Sequence, residues 1–268
     1  MDAFHYKKGN SPLIVSMPHI GVGIPDTIKI HMTDAGLNMI DTDWYIDRLY
    51  DFLLDMDVTI IGGNFSRYVV DLNRGIDVKS LYPGKTVTGL CPTHSFDGAP
   101  LYKTGYDINE KERIEKYWRP YHDIISQELQ RLKKEHGFVR LWDAHSIKSY
   151  VPELFDGRLP DLNLGTGNGI SANHTLTEKL DQIVESSQFT NALNGRFKGG
   201  FITRYYGDPK NNIDAVQLEI SQITYMDEKT NRFDETLANS LRSVLKSLID
   251  AVFKGPYMDN LISHKRLK

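Results

Sequence analysis

The chain has 268 residues, 40% of them hydrophobic and 25% charged, which is enough apolar material for one large domain with a proper core. A net charge of −3 argues against a general nucleic-acid binder, and the single cysteine, Cys91, excludes an internal disulfide and any cysteine-built zinc or iron–sulfur site. No apolar run approaches the ~18 residues of a membrane helix, and the first residues lack the basic-then-apolar layout of a secretory signal, so a cytoplasmic protein is expected.

In chain order, short apolar runs alternate with longer amphipathic ones. Leu13–Val15, Val58–Ile61, Tyr68–Val70, Phe138–Trp142 and Ala215–Leu218 read as strands. Helices are expected over about 43–55, 107–135, 173–186 and 231–252. The second opens on Asp107 and Asn109 as caps and carries Ile114, Trp118, Tyr121, Ile125, Leu129 and Leu132 at helical spacing. Irregular stretches rich in Gly, Pro, Asp and Asn lie at about 75–106 and 150–172, and loops of that length often serve function. With no repeat and no linker, residues 1–268 read as a single domain. Its expected class is a three-layer α/β fold with a central mixed, mostly parallel sheet flanked by helices.

Phosphate loops, HExxH helices, GxSxG elbows and EF-hand loops are absent from the sequence. Gly165-Thr166-Gly167-Asn168-Gly169 has Ile170 where a dinucleotide fingerprint needs its third glycine, and no apolar strand precedes it, so it reads as a plain loop.

Four segments instead carry polar residues where an apolar run ends, which is where open α/β sheets bind ligands. His19 leaves its strand into the Gly- and Pro-rich turn Pro18–Pro25, as a metal ligand or as a structural histidine. Asp143 and His145 are two apart after a strand and so share a face; a carboxylate beside a histidine either orients a metal-binding imidazole or caps the next turn. Arg67, Asn73 and Arg74 flank Tyr68–Asp71, and the guanidinium forks of the two arginines suit a carboxylate ligand or a salt bridge to Asp71 or Asp77. Glu219 interrupts an apolar strand, where burial raises a carboxyl pKa toward the range of a general base unless a structural arginine pairs with it. Two histidines, a carboxylate and a position left for water make a catalytic zinc arrangement. The predicted helix at Asp41–Asp47 puts Asp43 and Asp47 four apart on one face, as ligands or as a solvated acidic surface.

These segments resemble, in order, the N-formylglutamate deformylase (amidohydrolase) family. Further agreement comes from Phe96–Tyr102, Pro120–His122, Pro152–Gly157, Pro160–Thr166 and Gly199–Arg204, so that the resemblance runs from about residue 10 to 250. It implies a fold similar to the zinc carboxypeptidases, one zinc ion per chain, and release of formate from N-formyl-L-glutamate in histidine degradation. It also implies that His19 and His145 are metal ligands, that Glu219 is the general base and that Arg67 polarises the scissile carbonyl. Asn73 and Arg74 would grip a substrate carboxylate, and Arg204 is the expected second anchor of the dicarboxylate. Carboxypeptidases place a ligating Glu three residues after the first histidine, where this chain has Val22. The third ligand is therefore expected from Asp47, with Asp43 or water as alternatives. A zinc amidohydrolase for another N-acyl amino acid, and a non-catalytic binder of acidic amino acids on the same fold, are the competing expectations. His94, His122 and His174 are left without a role, and oligomeric state is not readable.

Overall fold

Seven strands form one mixed sheet in a computed structural model that describes residues 1–77 and 89–254. They are β1 (Phe4–Lys7), β2 (Leu13–Met17), β3 (Thr59–Gly63), β4 (Val139–Ile147), β5 (Leu162–Gly165), β6 (Asn191–Leu193) and β7 (Ile213–Ser221), in the order β1-β3-β2-β4-β7-β5-β6. The central strands β3, β2, β4 and β7 are mutually parallel; β1 joins one edge antiparallel, and β5 pairs antiparallel with β7 and parallel with β6. The expected α/β architecture is the one found.

Period-two alternation splits the strand residues between two cores. Leu13, Val15, Trp142, Ala144, Val216 and Leu218 pack against the helices His174–Glu185 and Glu235–Lys254. On the opposite face Ile14, Val139, Leu141 and Ala215 meet the long helix Arg119–His136 through Tyr121, Ile125, Leu129 and Leu132. That second face changes character along the strands. Its next positions toward the carboxyl ends are Ser16, Asp143, His145, Gln217 and Glu219, all buried. The register sets Ser16 beside Asp143, Asp143 beside Gln217 and His145 beside Glu219. Polar groups so placed must satisfy one another or a ligand.

The helices expected at 107–135 and 173–186 are present as Glu110–His136, with a π-helical turn over Ile114–Trp118, and as His174–Glu185. Asn173 caps the latter by accepting from Leu176 N, and its own amide donates to Asp214 on β7. The last helix begins at Glu235 because Arg232–Phe233 forms a short strand with Met226–Asp227. Other expectations fail. Tyr68 and Val69 lie in a buried turn closed by Val69 N donating to Ser66 O, and Val70 follows it; the apolar run reflects burial of Tyr68 and Val69 with Ile28, Met32 and Leu101 and of Val70 with Ile14 and Ile61, not strand pairing. The helix expected over 43–55 breaks into a single turn at Ile46–Leu49 and a 3₁₀ turn at Asp51–Asp55. Part of the predicted 75–106 loop, residues 78–88, lies outside the described residues, and the 150–172 stretch contains β5, so that, against expectation, a buried strand does lead into the Gly165–Gly169 loop. Among the described residues, no helix is long and apolar enough to cross a membrane.

Candidate metal centre and active site

His19 lies two residues past β2 and His145 near the end of β4, with ring centroids 5.0 Å apart. Between them sits Asp43, whose Oδ2 is 3.0 Å from His145 Nδ1 and 3.8 Å from His19 Nδ1. All three side chains are buried, and one donor atom from each lies within 4.8 Å of the others. A tetrahedral zinc ion about 2.0–2.2 Å from each donor spaces its ligands by roughly 3.3 Å, so this set fits with small adjustments.

The far side of each imidazole strengthens that fit. His19 Nε2 is 2.7 Å from Asp71 Oδ1, and His145 Nε2 is 3.0 Å from Asp143 Oδ2. Carboxylates that accept from Nε2–H direct the Nδ1 lone pairs inward, the usual support of metal-binding histidines. Among the described residues, His19 Nδ1 and Asp43 Oδ1 are buried without a hydrogen-bond partner. Burial, helped by the Arg67 cation, lowers the His19 pKa and keeps that ring neutral. Burial also opposes charge on His145, but Asp143 and Asp43 outweigh it and hold its pKa well above the ordinary range. Such a nitrogen is suited to a cation when the proton leaves.

The structure brings Asp43 to the histidines and leaves Asp47, the expected third ligand, exposed. The reason is Tyr45, which takes the left-handed conformation (φ 61°) and starts the helical turn only at Ile46. Asp43 and Asp47 therefore never share a helix face. Asp43 is pinned by its own N–H donating to His19 O (3.1 Å) and by Ser146 N donating to its carboxylate (3.2 Å). Gln222 Nε2, donating to Thr42 O, and Tyr225 OH, donating to Trp44 O, hold the surrounding loop from the segment after β7.

Arg67 is buried and donates through NH2 to Asp71 Oδ2 at 2.7 Å, with NH1 3.7 Å from Asp43 Oδ1 and its guanidinium over the Phe96 ring. Asp71 thus ties one imidazole and one guanidinium together, and also accepts from Asn73 N at 2.9 Å. Asn73 packs against Gly200, where a Cβ would come within 2.2 Å of the Asn73 amide nitrogen. Its Oδ1 accepts from Ile202 N at 2.8 Å. Arg74 is bound through NH1 to Asn73 O (3.0 Å) and lies 3.9 Å from Asp71 Oδ2.

Glu219 is buried, and desolvation, reinforced by Asp43 and Asp143, pushes its carboxyl pKa up to about 8. Gln217 Nε2 donates to Glu219 Oε2 (3.2 Å), while Gln217 Oε1 accepts from Gly200 N (2.7 Å). A cavity of about 70 Å³ joins these groups, lined by His19, Arg67, Asn73, Arg74, His145 and Glu219 among others. Six of the eight residues expected from the sequence thus face one space. Asp47 does not, and Arg204 is not among its lining residues; its Cγ instead lies under the Gly167 turn. Arg196, Gln217 and Phe96 line the cavity without having been assigned roles, and Asp71 is a further unassigned support behind it.

The three histidines left without a role lie away from the His19–His145 pair. His122 donates from Nε2 to Leu72 O (2.9 Å), accepts at Nδ1 from the Tyr206 hydroxyl (2.9 Å) and stacks near Trp118, so it packs behind the Asp71–Arg74 turn. His94 is exposed beside Thr93, and His174 forms a surface pair with Glu178.

The sequence profile of the N-formylglutamate amidohydrolase family matches residues 11–226. An N-formylglutamate deformylase of Pseudomonas putida is 46% identical over 255 residues, covering 93% of this chain and 94% of the relative. One from Pseudomonas aeruginosa is 44% identical over 256 residues, covering 94% and 96%. Among solved structures, an N-formylglutamate amidohydrolase from Ralstonia eutropha JMP134 aligns with a TM-score of 0.78 at 24% identity, over 94% of this chain and 97% of that one. A gene product of Agrobacterium tumefaciens aligns with a TM-score of 0.69 at 17% identity, over 94% and 96%. These two likenesses concern the fold.

Proposed function

The chain belongs to the N-formylglutamate amidohydrolase family, and from that premise we propose that it hydrolyses N-formyl-L-glutamate to formate and L-glutamate, using one zinc ion held by His19, Asp43 and His145. The observation that carries the reading is the meeting, in one buried space, of two inward-facing Nδ1 atoms, the Asp43 carboxylate and a carboxyl with a raised pKa. A divalent ion there supplies Lewis acidity, acidifying water to a pKa near ~7 and polarising a carbonyl.

In this reading the protein's own groups do the rest. Glu219 takes a proton from the attacking water and returns it to the departing glutamate nitrogen; a pKa near the working pH favours both transfers. Gln217 holds the carboxylate in place while it does so. Arg67, kept in position by Asp71, donates toward the oxygen that gains charge, an effect often worth about 3 kcal/mol per well-aimed donor. Asn73 and Arg74 bind the α-carboxylate. The reading also takes residues 1–268 as one catalytic domain, since both cores share a single sheet, and assigns it to the cytoplasm.

The test compares formate, acetate and succinate release from the N-formyl, N-acetyl and N-succinyl derivatives of L-glutamate by the zinc-loaded protein. Rapid release of formate alone supports the proposal. Preference for acetyl or succinyl moves the substrate to another N-acyl amino acid, and tight binding of glutamate without any release makes the protein a binder.

A further inference from the structure

A dicarboxylate substrate asks for a second cationic anchor, and we infer that Arg196 is that anchor, binding the γ-carboxylate and setting the preference for a glutamyl side chain. The inference rests on the reading above. It begins from the position of Arg196, which lines the cavity shared with His19, His145 and Glu219 and also borders an outer, more open pocket formed with Pro152–Asp156. Arg196 therefore stands at the mouth, whereas Arg74 stands within, next to Asn73 and Asp71.

The substrate's own geometry assigns the two arginines. The α-carboxylate is attached to the carbon bearing the formamide nitrogen, and the γ-carboxylate is two methylenes farther along. With the formyl carbon near the metal-facing groups, the near carboxylate meets Arg74 and the far one reaches the mouth. Leu154 and Phe197, which line the cavity beside Arg196, suit the intervening methylenes.

Arg196 is also held in a fixed direction. Its Nε donates to Leu154 O at 2.6 Å, and its guanidinium lies 5.3 Å from the Phe197 ring centroid. A fork fixed in this way loses little freedom on meeting a carboxylate, and its planar pair of donors matches the two oxygens in a way that a lysine does not. Arg204, the anchor expected from the sequence, is not among the lining residues of this cavity.

The experiment uses the zinc-loaded full chain and two substrates, N-formyl-L-glutamate and N-formyl-L-glutamine, which differ only at the far end, a charged carboxylate in one and a neutral amide of the same shape in the other. The readout is the ratio of their kcat/KM values. Arg196→Gln is expected to lower that ratio on the order of 10–100-fold, chiefly through KM for the charged substrate, because a charge-assisted pair is lost. Zinc content should stay at the wild-type level. Arg196→Lys, which keeps the charge but not the fork, should retain an intermediate ratio, and it serves if the glutamine variant does not fold. A ratio unchanged in both variants, or equal loss on both substrates, overturns the assignment.

Calorimetric binding of L-glutamate against L-glutamine to the same proteins separates this inference from the hydrolytic reading. Wild-type preference for glutamate that vanishes in Arg196→Gln supports the anchor even if no formate is released. A preference that survives the substitution overturns the anchor even in an active enzyme.

Discussion

Asp71→Asn is the substitution whose consequences follow most directly from the geometry. Asp71 is fully buried, and its two oxygens meet His19 Nε2 and Arg67 NH2, each at 2.7 Å. An asparagine keeps the shape but has one acceptor, so its amide nitrogen must face either Arg67 or the Nε2–H of His19, donor against donor. Removing one member of a buried ion pair costs about 3–5 kcal/mol. Arg67 keeps Asp43 Oδ1 at 3.7 Å and Asp41 O at 3.5 Å, which argues for the lower end, ~3 kcal/mol. The same change loosens His19, and loss of such a supporting carboxylate lowers metal affinity roughly 10–100-fold. Two assays read the two arms. Urea unfolding of the metal-free protein gives the stability loss, and competition with a chromophoric chelator gives zinc affinity. The linked prediction is that both fall, together with kcat through Arg67. Asp71→Asn with wild-type zinc affinity and a kcat within about twofold would refute the claim that this carboxylate organises both groups.

Glu219→Gln should retain zinc while turnover falls by ~10²–10⁴, and near-wild-type formate release would remove Glu219 from the base role. Asp43→Asn should weaken zinc binding strongly whereas Asp47→Asn, on an exposed side chain, should not; the reverse order in a chelator titration would restore Asp47 as the ligand. His122, whose pKa burial lowers from 6.5 to about 3, binds no proton in the folded state where the unfolded chain does. Stability should therefore fall as pH drops from 6.5 toward 3, by up to about 1.4 kcal/mol per unit from this group. His122→Gln, which keeps a donor for Leu72 O and an acceptor for Tyr206, should flatten that slope by one proton, and an unaltered slope in acid urea titrations would contradict the buried neutral ring. Gly200→Ala forces a Cβ within 2.2 Å of the Asn73 amide, so a loss of about 1–3 kcal/mol and a raised KM are expected. An unshifted urea midpoint with normal KM would show that Asn73 has room to move.

Much of the site was legible because strand alternation and burial leave a chemical trace. Along β4, Leu141 is apolar and Asp143 and His145 are not; along β7, Ala215 gives way to Gln217 and Glu219. A buried face that turns polar near its carboxyl end marks a place where side chains must converge, and register does the rest by pairing His145 with Glu219. The central strands and the long helices were legible for the same reason, their periodicity being strong.

What escaped depends on backbone conformations and long-range contacts without a local signature. Asp43 and Asp47 have the spacing of one helical face, and only the left-handed Tyr45 separates them; tyrosine is not a residue that announces this conformation. Tyr68–Val70 is apolar because it is buried, and periodicity over three residues cannot tell a strand from a turn packed on Leu101. Arg196 lies in a loop and Arg204 in the short helix Phe201–Tyr206, and nothing in the sequence around either marks it as the one that faces the cavity. Which of them reaches the cavity is decided by Leu154 and Phe197 around one and the Gly167 turn over the other.

Metal-dependent hydrolysis at His19, Asp43 and His145 is tested by removing the metal and returning it. The purified chain is stripped by chelation and dialysis, then titrated with zinc while formate release from N-formyl-L-glutamate is followed. Negligible release by the stripped protein and full recovery with a break at one zinc per chain are expected, with neither recovery nor that break in Asp43→Asn at the same zinc concentration. Full-rate release by the stripped protein, or a titration untouched by Asp43→Asn, would contradict metal-dependent hydrolysis at these three residues.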